Sequence, residues 1–206
     1  QVEEDNKEVL TNGEKPKFDF TPKDHVELML ALKMVDFERG VKVHGFRGYF
    51  LHNDGAEMSW AIWNYARDFF QKNKEKKFNT FIAPAIVHKQ HLYGTGHLPG
   101  GAEDIYQTQD GDYLSGTAEI PMMGYHSNEI IGREELPKRY LAFSSCYRRE
   151  AGAHSKDTKG LIRVQEFYKL EQLILCEASH EESVKYHEEI NKNFEEFLES
   201  LGIPYR

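Results

Sequence analysis

The 206-residue sequence has little cysteine, little proline and no long apolar run, and each scarcity excludes something. Its two cysteines, Cys146 and Cys176, form neither a disulfide framework nor a Cys-x-x-Cys metal pair, so a reducing compartment, the cytoplasm, suits the chain. No apolar stretch approaches the roughly 20 residues a membrane-crossing helix needs, so no membrane is expected as a partner. The opening Gln1-Val2-Glu3-Glu4-Asp5 is the reverse of a basic-then-apolar export signal. Positive charge is also scarce: 26 Lys and Arg stand against 34 Asp and Glu, for a formal net charge of -8. A dedicated nucleic-acid module with a general basic surface is therefore disfavoured.

What is present is an ordinary globular composition, 39% hydrophobic and 29% charged, at a length that suits one substantial domain. Residues 1–17 read as a polar extension and 18–206 as the ordered domain. Spacing predicts a short helix over His25 to Met34 and a longer one after Asn53, capped by Asp54 with Glu57 in its first turn. The main apolar face of that longer helix is Met58, Ala61, Ile62, Tyr65, Ala66 and Phe69, with Trp60, Trp63 and Phe70 on another side, so one face is a candidate for a subunit contact. A last helix is expected from a Ser179/Glu182 capping box, through a buried stripe of Val184, His187, Ile190, Phe194, Phe197, Leu198 and Leu201, to a stop at Gly202 and Pro204.

Two stretches carry chemistry. Tyr140 to Glu150 and a return segment through Glu171 read as a strand hairpin, and alternation puts Arg148 with Glu150, and Arg163 with Gln165, Phe167, Lys169 and Glu171, on shared faces. Guanidinium forks suit phosphate and carboxylate oxygens, a phenyl ring can stack on a base, and carboxylates can hold an ammonium. Upstream, Tyr113 to Pro121 reads as another strand, with Thr117 and Glu119 on one face, where a hydroxyl beside a carboxylate can orient a small amine. Other signals are discounted. Gly94 to Gly100 lacks the spacing of a phosphate loop, and His88 with His91 has no third partner at zinc spacing, so no metal site is expected.

At these residues the sequence resembles the seryl-tRNA synthetases. The likeness rests on Thr117-Ala118-Glu119-Ile120-Pro121, Tyr147-Arg148-Arg149-Glu150-Ala151-Gly152, Asp157-Thr158-Lys159-Gly160-Leu161-Ile162-Arg163-Val164 and Phe167-Tyr168-Lys169-Leu170-Glu171. It continues through Leu92 to Pro99 and Val35 to Gly40. The resemblance implies an α+β fold, a class II synthetase-type antiparallel sheet flanked by helices, with 18–206 the portion of the catalytic domain that contains the first two class II motifs. It further implies that Arg148 meets the ATP α-phosphate and the serine carboxylate, that Glu150 lies by the adenine amine, and that Phe167 stacks on adenine. Val164 and Arg163 would complete the ATP site, while Thr117, Glu119 and Glu171 would hold serine. ATP and Mg2+ are the implied cofactors; L-serine, tRNA(Ser) and a second copy of the chain, in a homodimer with Pro84 as signature proline, are the implied partners.

Three departures qualify the resemblance. Gln165-Glu166 replaces the usual His-Gln, the tRNA-grasping N-terminal hairpin is not in the sequence, and Arg206 precedes the third class II signature, where the Mg2+ ligands are expected. Two rival readings are an amino acid:carrier-protein ligase, disfavoured by Thr117 and Glu119 and by the lack of suitable cysteines, and a non-catalytic paralogue with an interaction role.

Overall fold

A computed structural model describes residues 7–73, 75, 77–151 and 159–206. The chain divides into two compact units, Lys23–Leu175 and a second made of the segment up to Pro22 with Cys176–Arg206.

The larger unit is built on a three-stranded sheet. β6 (Lys138–Tyr147) pairs antiparallel with β7 (Glu166–Leu175), and β3 (Asn79–Ile82) joins the other edge of β6 in parallel. The register sets Ala142 opposite Glu171, Ser144 opposite Lys169 and Cys146 opposite Phe167. Opposed residues share a sheet face, so three small, buried side chains of β6 form the floor beneath three long ones of β7. Toward the other end the same face becomes apolar, where Tyr140, Ala142 and Leu173 pack with Ala83, Ala118 and Met122. The opposite face carries Phe143 and Tyr168, stacked at 5.7 Å, and receives α3 (Asp54–Phe70) through Trp63, 5.6 Å from Phe143.

Helix α3 differs from expectation in two respects. Asn53, not Asp54, is the N-cap position, and it makes no side-chain cap bond; Asp54 lies in the first turn. The expected main apolar face is turned outward at Met58, Ala61 and Tyr65, while Ser59, Ile62, Trp63, Ala66 and Phe70 occupy the more buried side. Both faces are apolar, so periodicity could not choose between them, and the aromatic pair on β6 and β7 did.

The short helix α1 (His25–Ala31) stops three residues before the expected Met34. It begins with a capping box: Asp24 accepts from Glu27 N at 2.8 Å and Asp24 N donates to the Glu27 carboxylate at 3.1 Å. β1 (Val35–Asp36), α2 (Phe37–His44) and β2 (Phe50–Leu51) follow, β1 and β2 pairing antiparallel. β4 (Ile86–Val87) pairs with β5 (Tyr113–Leu114), α4 (Lys89–Gly94) lies between them, and α5 (Glu119–Gly124) leads toward β6.

In the smaller unit, Asn12 and Tyr205 exchange backbone hydrogen bonds at 2.9 and 3.0 Å, and α6 (His180–Ser200) starts at Ser179. Half of the expected capping box forms: Ser179 Oγ accepts from Glu182 N at 3.5 Å, but the Glu182 carboxylate takes Lys185 Nζ at 2.9 Å. Phe197 of the expected stripe is buried and Ile190 and Leu198 are half-buried, whereas Val184 and Phe194 of the stripe are exposed and Tyr186, outside it, is buried.

Candidate functional site

The site lies over the small-residue floor of the β6–β7 hairpin and is closed by the segment after β5. Ser115 N donates to Ala85 O at 2.7 Å and Tyr147 N donates to Ser115 O at 3.0 Å, which seats residue 115 against the end of β6. Ser115 is fully buried, its hydroxyl donating to the Thr117 carbonyl and accepting from Thr117 N. That local side-chain turn ends the extended chain. The expected strand through Pro121 is therefore limited to Tyr113–Leu114, and Glu119 opens α5. Pro121 stands in the first turn, where a missing N–H costs no intrahelical bond.

This turn, not strand parity, brings Thr117 to the site. Its hydroxyl donates to Glu171 Oε2 at 2.7 Å and accepts from Lys169 Nζ at 2.9 Å, and Lys169 lies 3.5 Å from the same carboxylate. Glu119 is half-buried, and its backbone N points to Thr117 Oγ1 at 3.4 Å. An acidic seat with an attached hydroxyl is thus occupied by the chain's own ammonium. Lys169 was visible on the shared face, but its place in the seat was not readable from sequence.

At the other end, Arg148 lies past β6, whose last residue is Tyr147. Its N donates to Gln165 O at 2.9 Å, its guanidinium stands 5.2 Å from the Phe167 ring centre, and Nη2 donates to Gly116 O at 3.3 Å. A Cβ on Gly116 would sit 3.2 Å from Arg148 Cγ, so glycine there gives the arginine room. Among the described residues the Arg148 guanidinium has no carboxylate partner, which leaves an exposed cation over an aromatic face beside the acidic seat.

Glu150, expected on one face with Arg148, meets Arg163 instead, Nη1 to Oε2 at 2.7 Å, and neither belongs to a strand. Glu150 takes a left-handed φ of +54°, and β7 begins only at Glu166, so alternation did not create this pair. Val164 is buried and lines a cavity of about 510 Å³ that Tyr49, Trp63 and Tyr168 also touch. Gln165, in the position where a histidine was expected, bridges to the hairpin: its Nε2 donates to Arg149 O at 2.9 Å. Of the Asp157 to Val164 stretch, Asp157 and Thr158 lie outside the described residues, as does Gly152.

Arg149 turns away from Arg148 into a separate cleft of about 480 Å³, shared with Lys89, Tyr93, Tyr106 and Tyr113. Its backbone N donates to Asp104 O at 2.8 Å, and Asp104 Oδ1 accepts from Ala151 N at 2.8 Å. Asp104 thus sets the start of the connection after β6, a role that no motif reading suggested. Within the floor, burial pushes the Cys146 thiol up from its ordinary value, so it remains a protonated packing group. Among the described residues no three or more His, Cys, Asp or Glu gather where they could hold a metal ion. His88 instead pairs with Asp112 at 2.7 Å.

Residues 105–206 match the family model of the tRNA synthetase class II core domain (G, H, P, S and T). The serine–tRNA ligase of Treponema denticola is 45% identical over 98% of this chain and 47% of its own length, and that of Deinococcus radiodurans is 40% identical over 99% and 48%. The chain thus spans about half the length of the curated relatives it matches. Among solved structures, cytoplasmic serine–tRNA ligase from Naegleria fowleri, in complex with AMP, superposes with a TM-score of 0.91 at 33% identity, covering 100% of this chain and 44% of that one. Seryl-tRNA synthetase from Pyrococcus horikoshii, complexed with ATP, gives 0.85 at 39% identity, covering 92% and 41%. The shared α+β architecture, the ordered motifs and a likeness running the length of the chain agree: this chain belongs to the class II tRNA synthetases, in their seryl-tRNA synthetase branch.

Proposed function

We propose that this chain is the part of a seryl-tRNA synthetase that activates L-serine with ATP and passes it to tRNA(Ser). The observation that carries the reading is the juxtaposition of an amine seat, Thr117 and Glu171 at 2.7 Å, with an Arg148 guanidinium laid over Phe167. Serine's ammonium takes the place that Lys169 Nζ fills, with Glu119 adding negative charge nearby. Adenine stacks on Phe167, and Glu150, Arg163 and Val164 border the nucleotide. Arg148 then serves both reactants, holding the serine carboxylate and an α-phosphate oxygen. A carboxylate oxygen attacks the α-phosphorus; the bond to the β-phosphate bridge breaks, and pyrophosphate leaves with that electron pair. In the second step a terminal ribose hydroxyl of tRNA attacks the acyl carbon and AMP departs. Both steps depend on in-line placement and on neutralised oxygen charge, not on a nucleophilic side chain.

The cleft of Arg149, Lys89 and three tyrosines suits a single-stranded nucleic-acid end, cations for phosphate and rings for bases. Mg2+ accompanies the ATP, the enzyme works as a homodimer, and it resides in the cytoplasm. This placement is supported by the family resemblance and by the finding that no helix among the described residues is long and apolar enough to cross a membrane.

Serine-dependent exchange of pyrophosphate into ATP by the full-length enzyme tests the reading. Arg148→Ala is expected to lower exchange by about 100-fold or more, the scale of losing a charge-stabilising donor in the transition state. Near-normal exchange would remove Arg148 from the mechanism.

A further inference from the structure

The end of α2 and its connection to β2 reach across to the return limb of the site and hold it at three points. Arg47 Nη1 donates to the Arg163 carbonyl at 2.9 Å, Tyr49 Oη donates to the Glu166 carbonyl at 3.2 Å, and His44 Nε2 lies 3.1 Å from Gln165 Oε1. The Tyr49 phenol is pushed up by burial, with Glu166 and Tyr168 adding to the shift, so it stays protonated and able to donate.

Arg47 is the unusual member. It is only 9% exposed, a depth arginine reaches rarely. Its φ of +67° is left-handed, a conformation that residues with a Cβ rarely adopt. The next residue, Gly48, is packed so closely that a Cβ there would sit 2.3 Å from Gly40 O. Burial, a left-handed backbone and a close glycine contact accompany the guanidinium's approach to one carbonyl. That carbonyl belongs to Arg163, whose own guanidinium is held by Glu150 at 2.7 Å. Residues 161–165 precede β7, and the backbone bond from Arg148 N that extends the pairing reaches Gln165 O, two residues short of Arg163.

We propose that Arg47 is a positioning residue for nucleotide binding: by anchoring the Arg163 backbone, it sets the Arg163 guanidinium where ATP phosphate oxygens arrive. The inference rests on the adenylation reading above. It predicts selectivity, because Arg47 touches the Arg163 limb and not the Thr117–Glu171 seat.

In the full-length enzyme, pyrophosphate exchange would be measured against ATP and against serine for wild type, Arg47→Lys and Arg47→Met. Arg47→Met is expected to raise the KM for ATP about tenfold, the scale of a lost charge-assisted hydrogen bond, with the KM for serine changed by less than about twofold. Arg47→Lys, which keeps a cationic donor, should fall between. KM does not depend on the folded fraction of a preparation, so a purely structural role for Arg47 would lower the maximal rate and leave this ratio unmoved. An unchanged KM for ATP in Arg47→Lys and in any soluble Arg47→Met, or equal rises for both substrates, overturns the inference. A wild-type enzyme without serine-dependent exchange overturns the functional reading, and the inference falls with it.

Discussion

Glu171 carries two interactions at once, accepting from the Thr117 hydroxyl at 2.7 Å and facing the Lys169 ammonium at 3.5 Å. On the proposed reading, the ammonium of serine takes the lysine's place on this carboxylate. Glu171→Ala should therefore raise the KM for serine by about tenfold or more while moving the KM for ATP by no more than about twofold. Steady-state exchange kinetics with each substrate varied in turn would show it, and equal rises would remove Glu171 from the amine pocket. At this scale the sequence was a good guide to which residues gather and a poor one to why. Arg148 with Phe167, Arg163 with Glu150, and Thr117 with Glu171 all meet. Yet Arg148, Glu150 and Arg163 lie outside the strands, and Thr117 arrives through a buried serine turn. Those contacts depend on chain ends crossing, which two-residue alternation does not encode.

Among the elements, α2 shows how a local signal becomes a pH response. Asp36 caps it, accepting from Arg39 N at 2.8 Å and from Arg39 Nη1 at 2.6 Å. The backbone hydrogen bond from Arg39, then the side-chain one, hold the Asp36 carboxyl below the usual carboxylate range. A depressed folded-state pKa stabilises above the unfolded value, about 3.9, and the benefit is lost as pH falls through the folded value. Asp36→Ala should lower the thermal midpoint by a few degrees at neutral pH. Asp36→Asn, which keeps an acceptor but does not titrate, should approach wild type as pH is lowered from about 5 to 2. A wild-type-to-Asp36→Asn gap that stays constant over that range would contradict the linkage. The helices themselves were legible from spacing and caps, α1, α3 and α6 all forming within a few residues of expectation. Their buried faces were not, because α3 is apolar on two sides and only the Phe143–Tyr168 pair selects Trp63.

For the molecule as a whole, the outward side of α3 bears on assembly. Met58 is 60% exposed, Trp60 64% and Ile82, at the end of β3, 86%, apolar side chains of the kind a partner surface covers. The homodimer proposed above predicts that light scattering on the intact enzyme returns twice the subunit mass, and that Trp60→Glu shifts it toward monomer. A strict monomer at micromolar concentration would contradict it. What the sequence by itself determined here is composition-level and local: the α+β class, the family membership written in ordered short motifs, and the residue types a serine and nucleotide site needs. The tertiary structure decided which ammonium fills the acidic seat, which face of α3 is covered, and that a left-handed, buried Arg47 holds Arg163 from 116 positions away. The reason is physical: motifs fix chemistry over a few neighbouring residues, whereas pairing and burial between distant segments are settled only when the whole chain has packed.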